Sequence, residues 1–392
     1  LIALVKSLAL CPVFVGHSIT HAQSAAESPA TAPFDAITIQ GESAAMAAPW
    51  GSETTRQELD ALQIQNWSDF ARRAEPGVNF NETSKSINVR GLDQNRVLTR
   101  IDGIRQTWLK DPGRGVRGGL NTFDFNSLSA IDIVRGADSS VAGSGAMGGV
   151  VDLRTLNPND LLGDGKSFGT LLKAGYNSVD QSGLASAAIA GKASNSTQWL
   201  VQAGIQKGSE TINMGTVGGY GVSRTEPNPD DYLQQNYLLK VQSKFDGGHT
   251  LGLSGSYFDR QDKSIDMAAA IETYAPGQSR LTDTSRRESV ALDYGWVAPN
   301  GNALVDLVDA QIYWQRVNLS SNLAAMRIAT PGGNYARNNS LQESTYGINT
   351  LASKALSGSV SQLWKLGAEW YGNTTEQWST GQDTCPARFS PY

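Results

Sequence analysis

The tripeptide Val-Arg-Gly occurs twice, at Val89-Arg90-Gly91 and Val134-Arg135-Gly136. An arginine fork matches a carboxylate, so Arg90 and Arg135 are candidates for directional ion pairs. The bland alternative is two solvated arginines beside turn glycines. A second group lies in Trp108–Asp124, WLKDPGRGVRGGLNTFD. Trp108 offers a stacking face, and Lys110, Arg114 and Arg117 offer cations for an anionic ligand. An ordinary solvated loop fits those residues as well. Covalent and acid–base machinery is poorly supplied. The chain has 3 histidines, His17, His21 and His249, and 2 cysteines, Cys11 and Cys385. Asp230-Asp231 stands in a Pro-containing stretch and reads as solvated. A binding or transport role is therefore expected rather than an enzyme, with no prosthetic group and no metal site.

These residues need elements to position them. Lys6, the apolar stretch Leu8–Val15 and Thr20-His21-Ala22 give residues 1–22 the pattern of a secretory signal. A chain that opens on Leu reads as lacking its start. Cys11 would leave with the signal, and Cys385 would stand alone in an oxidising compartment. Residues 23–50 read as a flexible Ala/Ser/Pro leader interrupted by one extended apolar run, Phe34–Gly41. Residues 51–160 read as a small α/β domain. Helices are expected over residues 53–75, with Ser68 capping the second. Strands are expected at Ser86–Val89, Val97–Ile101, Ala130–Val134 and Gly149–Arg154, with Asp102-Gly103 as a turn. Gly143–Gly149 lacks the Gly-Lys-Ser/Thr ending of a nucleotide loop.

From about Gly165 the period becomes two. Trp199, Val201, Ala203 and Ile205 alternate with Leu200, Gln202 and Gln206, and Val290, Leu292, Tyr294 and Trp296 share one face. About nine strands are expected, near 167–176, 183–192, 197–207, 236–246, 249–259, 286–297, 303–316, 344–355 and 363–373. Tight turns alternate with long segments at 208–235, 260–285 and 317–343. Short turns on one side and long loops on the other suit a membrane β-barrel, whose mean hydropathy stays low because lipid-facing and lumen-facing residues alternate. A β-sandwich would not place long loops at every second turn. The net charge of −5 and the lack of Lys/Arg clusters speak against a nucleic-acid partner.

Four segments in order resemble TonB-dependent outer-membrane receptors: Asp35–Gly41, Asn88–Leu92, Val97–Gln106 and Ile131–Gly149. The resemblance implies a plug domain inside a barrel of about 22 strands. About nine of these fall in 161–392, so the chain reads as the N-terminal part of a longer protein. It implies that Asp35, Ala36, Ile37, Thr38, Ile39 and Gln40 form a box that adds as a strand to the TonB protein. Arg90 and Arg135 would latch the plug to barrel glutamates, and Trp108–Asp124 would face the ligand. Implied partners are TonB with its inner-membrane energising complex, outer-membrane lipid and haem or a haem-carrying protein. The wording VRGLDQNRVLTRIDGIRQ resembles the haem, haemoglobin, haemophore and transferrin/lactoferrin branch, with haem as the expected cargo. A siderophore receptor is the alternative. A passive porin or adhesin is the alternative of another class. The implied location is the outer membrane of a Gram-negative bacterium. Haem iron takes His or Tyr axial ligands. Here Tyr220 in the first expected long loop and Tyr274 in the second are the candidates.

Overall fold

The computed structural model describes residues 51–384, apart from 112, 114, 138–144, 164, 300–303 and 357–361. The first part is a five-stranded sheet in the order β1 (Gly51–Thr55), β8 (Leu128–Arg135), β9 (Gly149–Thr155), β4 (Val97–Ile101), β5 (Ile104–Gln106). Two small hairpins accompany it, β2 (Val78–Asn81) with β3 (Ser86–Val89) and β6 (Leu109–Lys110) with β7 (Arg117–Gly118).

Alternation decides its two faces. Ile131 and Ile133 of β8, Val151 and Leu153 of β9 and Ile101 of β4 point to one side. There they bury against helices α1 (Arg56–Ala61) and α2 (Trp67–Arg73) through Leu59, Trp67 and Phe70. Trp67 makes edge-on contacts with Phe70, Phe123 and Phe125 at 5.4–5.7 Å between centroids. Thr55 and Glu58 form a capping box on α1. The cap of α2 is Asn66, whose Oδ1 accepts from the Asp69 amide at 2.8 Å, not the expected Ser68. Ser68 lies one residue inside the helix, because Trp67 must enter the first turn to reach the core.

Gly149 joins β9 to its neighbours at φ 153°, and a Cβ there would fall on the Val134 carbonyl oxygen. Gly149→Ala must push β8 and β9 apart at their pairing end. We expect a loss of stability of roughly 1–3 kcal/mol, read as a lower denaturant midpoint of the plug.

After α3 (Pro158–Leu161) the chain forms a nine-stranded antiparallel meander. Its strands are β10 (Phe168–Asn177), β11 (Ser182–Lys192), β12 (Thr197–Ser209), β13 (Asp230–Phe245), β14 (His249–Ile265), β15 (Arg280–Val297), β16 (Leu307–Arg327), β17 (Gly333–Leu356) and β18 (Gln362–Gln382). The expected nine strands are all present, and most run longer than their apolar alternation. Cross-strand partners continue one apolar belt over the outer face: Val201 with Leu239, Leu253 with Leu292, Leu292 with Ile312, Ile312 with Ile348, and Ile348 with Trp370. These side chains are about half exposed, as a lipid-facing belt requires. No helix among the described residues is long and apolar enough to cross a membrane.

The segments between strands distinguish the two ends of the sheet. One end has the tight turns 193–196 and 246–248; the other has 210–229 and 266–279. The third expected long loop, 317–343, is corrected. Only 328–332 is a turn, and the rest is paired strand from Val317–Glu343 up to Arg327–Gly333. Asn318, Ser320, Ser321, Asn338 and Asn339 break the apolar alternation there. Beyond the lipid zone the outer face needs no apolar residues, so the lipid-type alternation stops, while Val317, Leu319 and Leu341 turn inward.

Candidate functional site: the seam between plug and sheet

The Asp102-Gly103 turn between β4 and β5 was legible as a turn and nothing more. In the fold it is the point at which the plug docks on the sheet. The Lys240 ammonium of β13, 5% exposed, lies 3.1 Å from the Asp102 carboxylate and donates to the Thr155 carbonyl and Asn157 Oδ1. Gln311 of β16 donates to the Asp102 carbonyl at 2.9 Å and to Asp293 at 2.8 Å. Asn349 of β17 donates to the Gly103 carbonyl at 3.2 Å. Gln106 donates to Gln315 at 2.8 Å. Burial pushes the Asp102 carboxyl up. The Lys240 charge and the donors from Thr155 outweigh it and hold the group below the usual carboxylate range.

A charged row crosses the other face of the plug sheet. Glu53, Asp132, Asp152, Arg100 and Arg105 stand directly opposite one another on β1, β8, β9, β4 and β5. Like charges face each other at Glu53–Asp132, Asp132–Asp152 and Arg100–Arg105, which alone would repel. Intercalated pairs offset that. Arg154 bonds both Glu53 and Asp132, Arg100 bonds Asp152, and Arg105 reaches out of the plug to Glu369 on β18 at 2.9 Å. The Arg105 guanidinium also lies 5.3 Å from the Tyr371 ring centroid. The row thus runs from the plug's first strand to the barrel wall. Glu369→Lys places a cation against Arg105 and should loosen that end. The expected readout is faster proteolysis of the plug in the folded receptor, with Arg105→Glu in the same chain restoring protection.

Of the two arginines expected to latch the plug, Arg135 pairs with Glu75 inside the plug. Arg90 is exposed, at φ 51°, and makes no ion pair among the described residues. Among the described residues, the charged pairs at this seam are Arg105 with Glu369 and Asp102 with Lys240. A further tie is Lys173 of β10 to Asp60 of α1. Sequence reasoning missed these because each ordinary polar residue gains meaning only from a partner about 110 to 265 positions away; the one available signal was the lumen-facing place of Lys240 in its strand.

Trp108, Lys110 and Arg117 come together on the β6–β7 hairpin. The Trp108 indole donates to the Ser84 carbonyl at 2.7 Å and packs on the plug core, so its ring is partly used internally. Lys110 lies 6.0 Å from that ring, and Lys110 and Arg117 are exposed. Leu109 and Val116 pack on Val317, Leu319 and Leu341, and Asp111 accepts from Gln377 at 2.8 Å. Strand β16 acts as a ruler: Gln311 meets Asp102, Gln315 meets Gln106, and Val317 and Leu319 meet Leu109. The hairpin therefore stands nearer the long-loop end than the Asp102-Gly103 turn. Arg114, Asp35–Gln40, His17, His21, Cys11 and Cys385 lie outside the described residues. His249 sits at a tight turn, 2.9 Å from the Tyr294 hydroxyl. Tyr274 lies at the long-loop end, 6.0 Å from the Tyr335 ring. Tyr220 lies at the same end and is half exposed.

Residues 47–150 match the family model "TonB-dependent Receptor Plug Domain". Lactoferrin-binding protein A of Neisseria meningitidis serogroup A is 32% identical over 205 residues, 48% of this chain and 21% of that protein. Hemoglobin and hemoglobin-haptoglobin-binding protein C of Haemophilus influenzae is 26% identical over 271 residues, 62% of this chain and 25% of that protein. The chain thus spans about a fifth to a quarter of the length of the curated relatives it matches. Among solved structures, the FrpB iron transporter from Neisseria meningitidis is similar with a TM-score of 0.61 at 20% identity, over 84% of this chain and 49% of that one. The pyoverdine receptor FpvA from Pseudomonas aeruginosa gives 0.59 at 14% identity, over 84% and 47%. A plug docked by its β4–β5 turn on nine strands of barrel wall, the plug-model match and these relatives agree: residues 47–150 are a TonB-dependent receptor plug domain, and the chain as a whole is similar to TonB-dependent receptors.

Proposed function

We propose that the chain belongs to an energised outer-membrane importer that takes its cargo from an iron-carrying protein, with haem from a haem protein as that cargo. The observation that carries this reading is the height of the sheet. Strands β15 to β18 have 18, 21, 24 and 21 residues, whereas about 9–11 suffice to cross a membrane. Such strands lift a broad paired surface beyond the lipid. That suits a protein ligand better than a small ferric chelate. Met214, 97% exposed, and Val222, 86% exposed, stand in the 210–229 segment at the same end and offer apolar contacts. Two relatives are named for binding lactoferrin and hemoglobin, which supports a protein carrier.

In this reading Lys110 and Arg117 contact the carrier or its cargo from the plug side. Asp35–Gln40 offer an extended peptide to TonB by strand addition. Arg105, Asp102 and Lys240 hold the plug until force arrives, and energy comes from the inner-membrane proton gradient. The test uses cells expressing the full-length receptor, probed with haemoglobin, iron-loaded lactoferrin and a ferric siderophore. Saturable haemoglobin binding, with haem uptake abolished by a protonophore, is expected. Binding of the siderophore alone, or uptake that survives the protonophore, overturns it. Lactoferrin binding in place of haemoglobin moves the cargo from haem to iron, a second reading that the 32% relative favours.

A further inference from the structure

Arg287 of β15 is a feature of the seam that these pairs leave unexplained. It is 3% exposed. Its Nε donates to the Thr122 carbonyl of the plug at 3.0 Å and its Nη1 to the Ser289 hydroxyl at 3.1 Å. No carboxylate among the described residues lies within ion-pair distance of it. The Asp102 carboxylate acts on it only from beyond that distance, so the buried cation is incompletely compensated, which is costly.

Beside it is a cavity of about 10 Å³, on the scale of one small sphere. Its polar lining is Arg287, Ser254, Ser256, Ser289 and Asp102; Ile101, Ile104 and Leu238 supply apolar wall. The Asp102 carboxylate is already engaged by Lys240 and Thr155. Ser256 and Ser289 share one hydrogen at 2.7 Å, which leaves one O–H between them. With the Ser254 hydroxyl and the guanidinium, that makes a donor set with no free acceptor of full charge.

We propose that this cavity is a binding site for a small monovalent anion of the halide class, held between β14, β15 and the plug turn. The cavity has room for a single small ion, and the donors suit an ion that only accepts hydrogen bonds. The anion neutralises Arg287 while Nε keeps its grip on the Thr122 carbonyl, so occupancy stiffens the plug segment around residue 122. The site is independent of the cargo.

Bromide replaces chloride as the probe, in crystals of the full-length receptor. An anomalous peak in the cavity beside Arg287 is expected, and it disappears in Arg287→Gln and in Ser256→Val. The second variant keeps the arginine and fills the cavity, so it remains informative if the first does not fold. In detergent solution the wild type melts higher in chloride than in gluconate at equal ionic strength, and Ser256→Val loses that difference. Water density without an anomalous signal, or a peak that survives Ser256→Val, overturns the proposal.

Discussion

Deleting Asp35–Gly41 leaves carrier binding at the cell surface intact and abolishes uptake. Binding draws on the long-loop end and the plug hairpin at Lys110 and Arg117, whereas the deleted run lies ahead of the plug's first strand, Gly51–Thr55. Strand addition depends on backbone hydrogen bonds, so the segment must exist and be extendable; its side chains matter less. A proline at Ile37 should therefore impair uptake more than alanine there, because proline removes a donor. Surface binding by flow cytometry and cargo accumulation in the same cells separate the two steps. Uptake that persists after the deletion would return the reading to a passive channel.

Lys240→Met is the second large effect. The ammonium it removes bridges Asp102, Thr155 and Asn157 at the base of the plug. Taking one partner from a buried pair strands the other, at a cost of about 3–5 kcal/mol. Methionine fills similar space, so the loss reports charge rather than packing. Asp102→Asn in the same chain should recover most of it, since no uncompensated carboxylate then remains. The same pair predicts a pH dependence. The Asp102 carboxyl is held below its ordinary value, so the folded chain takes up that proton less readily than the unfolded one. Its stabilisation is complete above about pH 4, the unfolded carboxyl range, and is lost as pH falls through the lower folded value. Plug unfolding followed by Trp fluorescence should show an acid limb in the wild type and a flatter one in Asp102→Asn/Lys240→Met. An unchanged limb would assign the acid sensitivity elsewhere.

The strands near the membrane were legible because lipid on one side and lumen on the other impose a strict period of two. Val201, Leu253, Leu292 and Ile348 carry that signal in their own neighbourhood. The same rule failed at 317–343, where the outer face of β16 and β17 no longer meets lipid and turns polar, while Val317, Leu319 and Leu341 pack inward on the plug. The plug strands were legible from short β-branched runs and from glycines such as Gly149. The cap of α2 was misplaced by two residues, since local propensity does not say which side chain the core requires at Trp67.

By itself the sequence determined the plug domain, the two-part architecture and the strand count, because these rest on motifs and periods written over short stretches. Tertiary structure alone decided how the plug is held. Arg90 and Arg135 stood out for their repeated setting, yet Arg135 turns to Glu75 within the plug, and among the described residues the charges that reach the wall belong to Arg105, Asp102 and Asp60. An ion pair has no sequence period: its energy depends on distance and burial, and Arg105 and Glu369 become neighbours only when the sheet is formed.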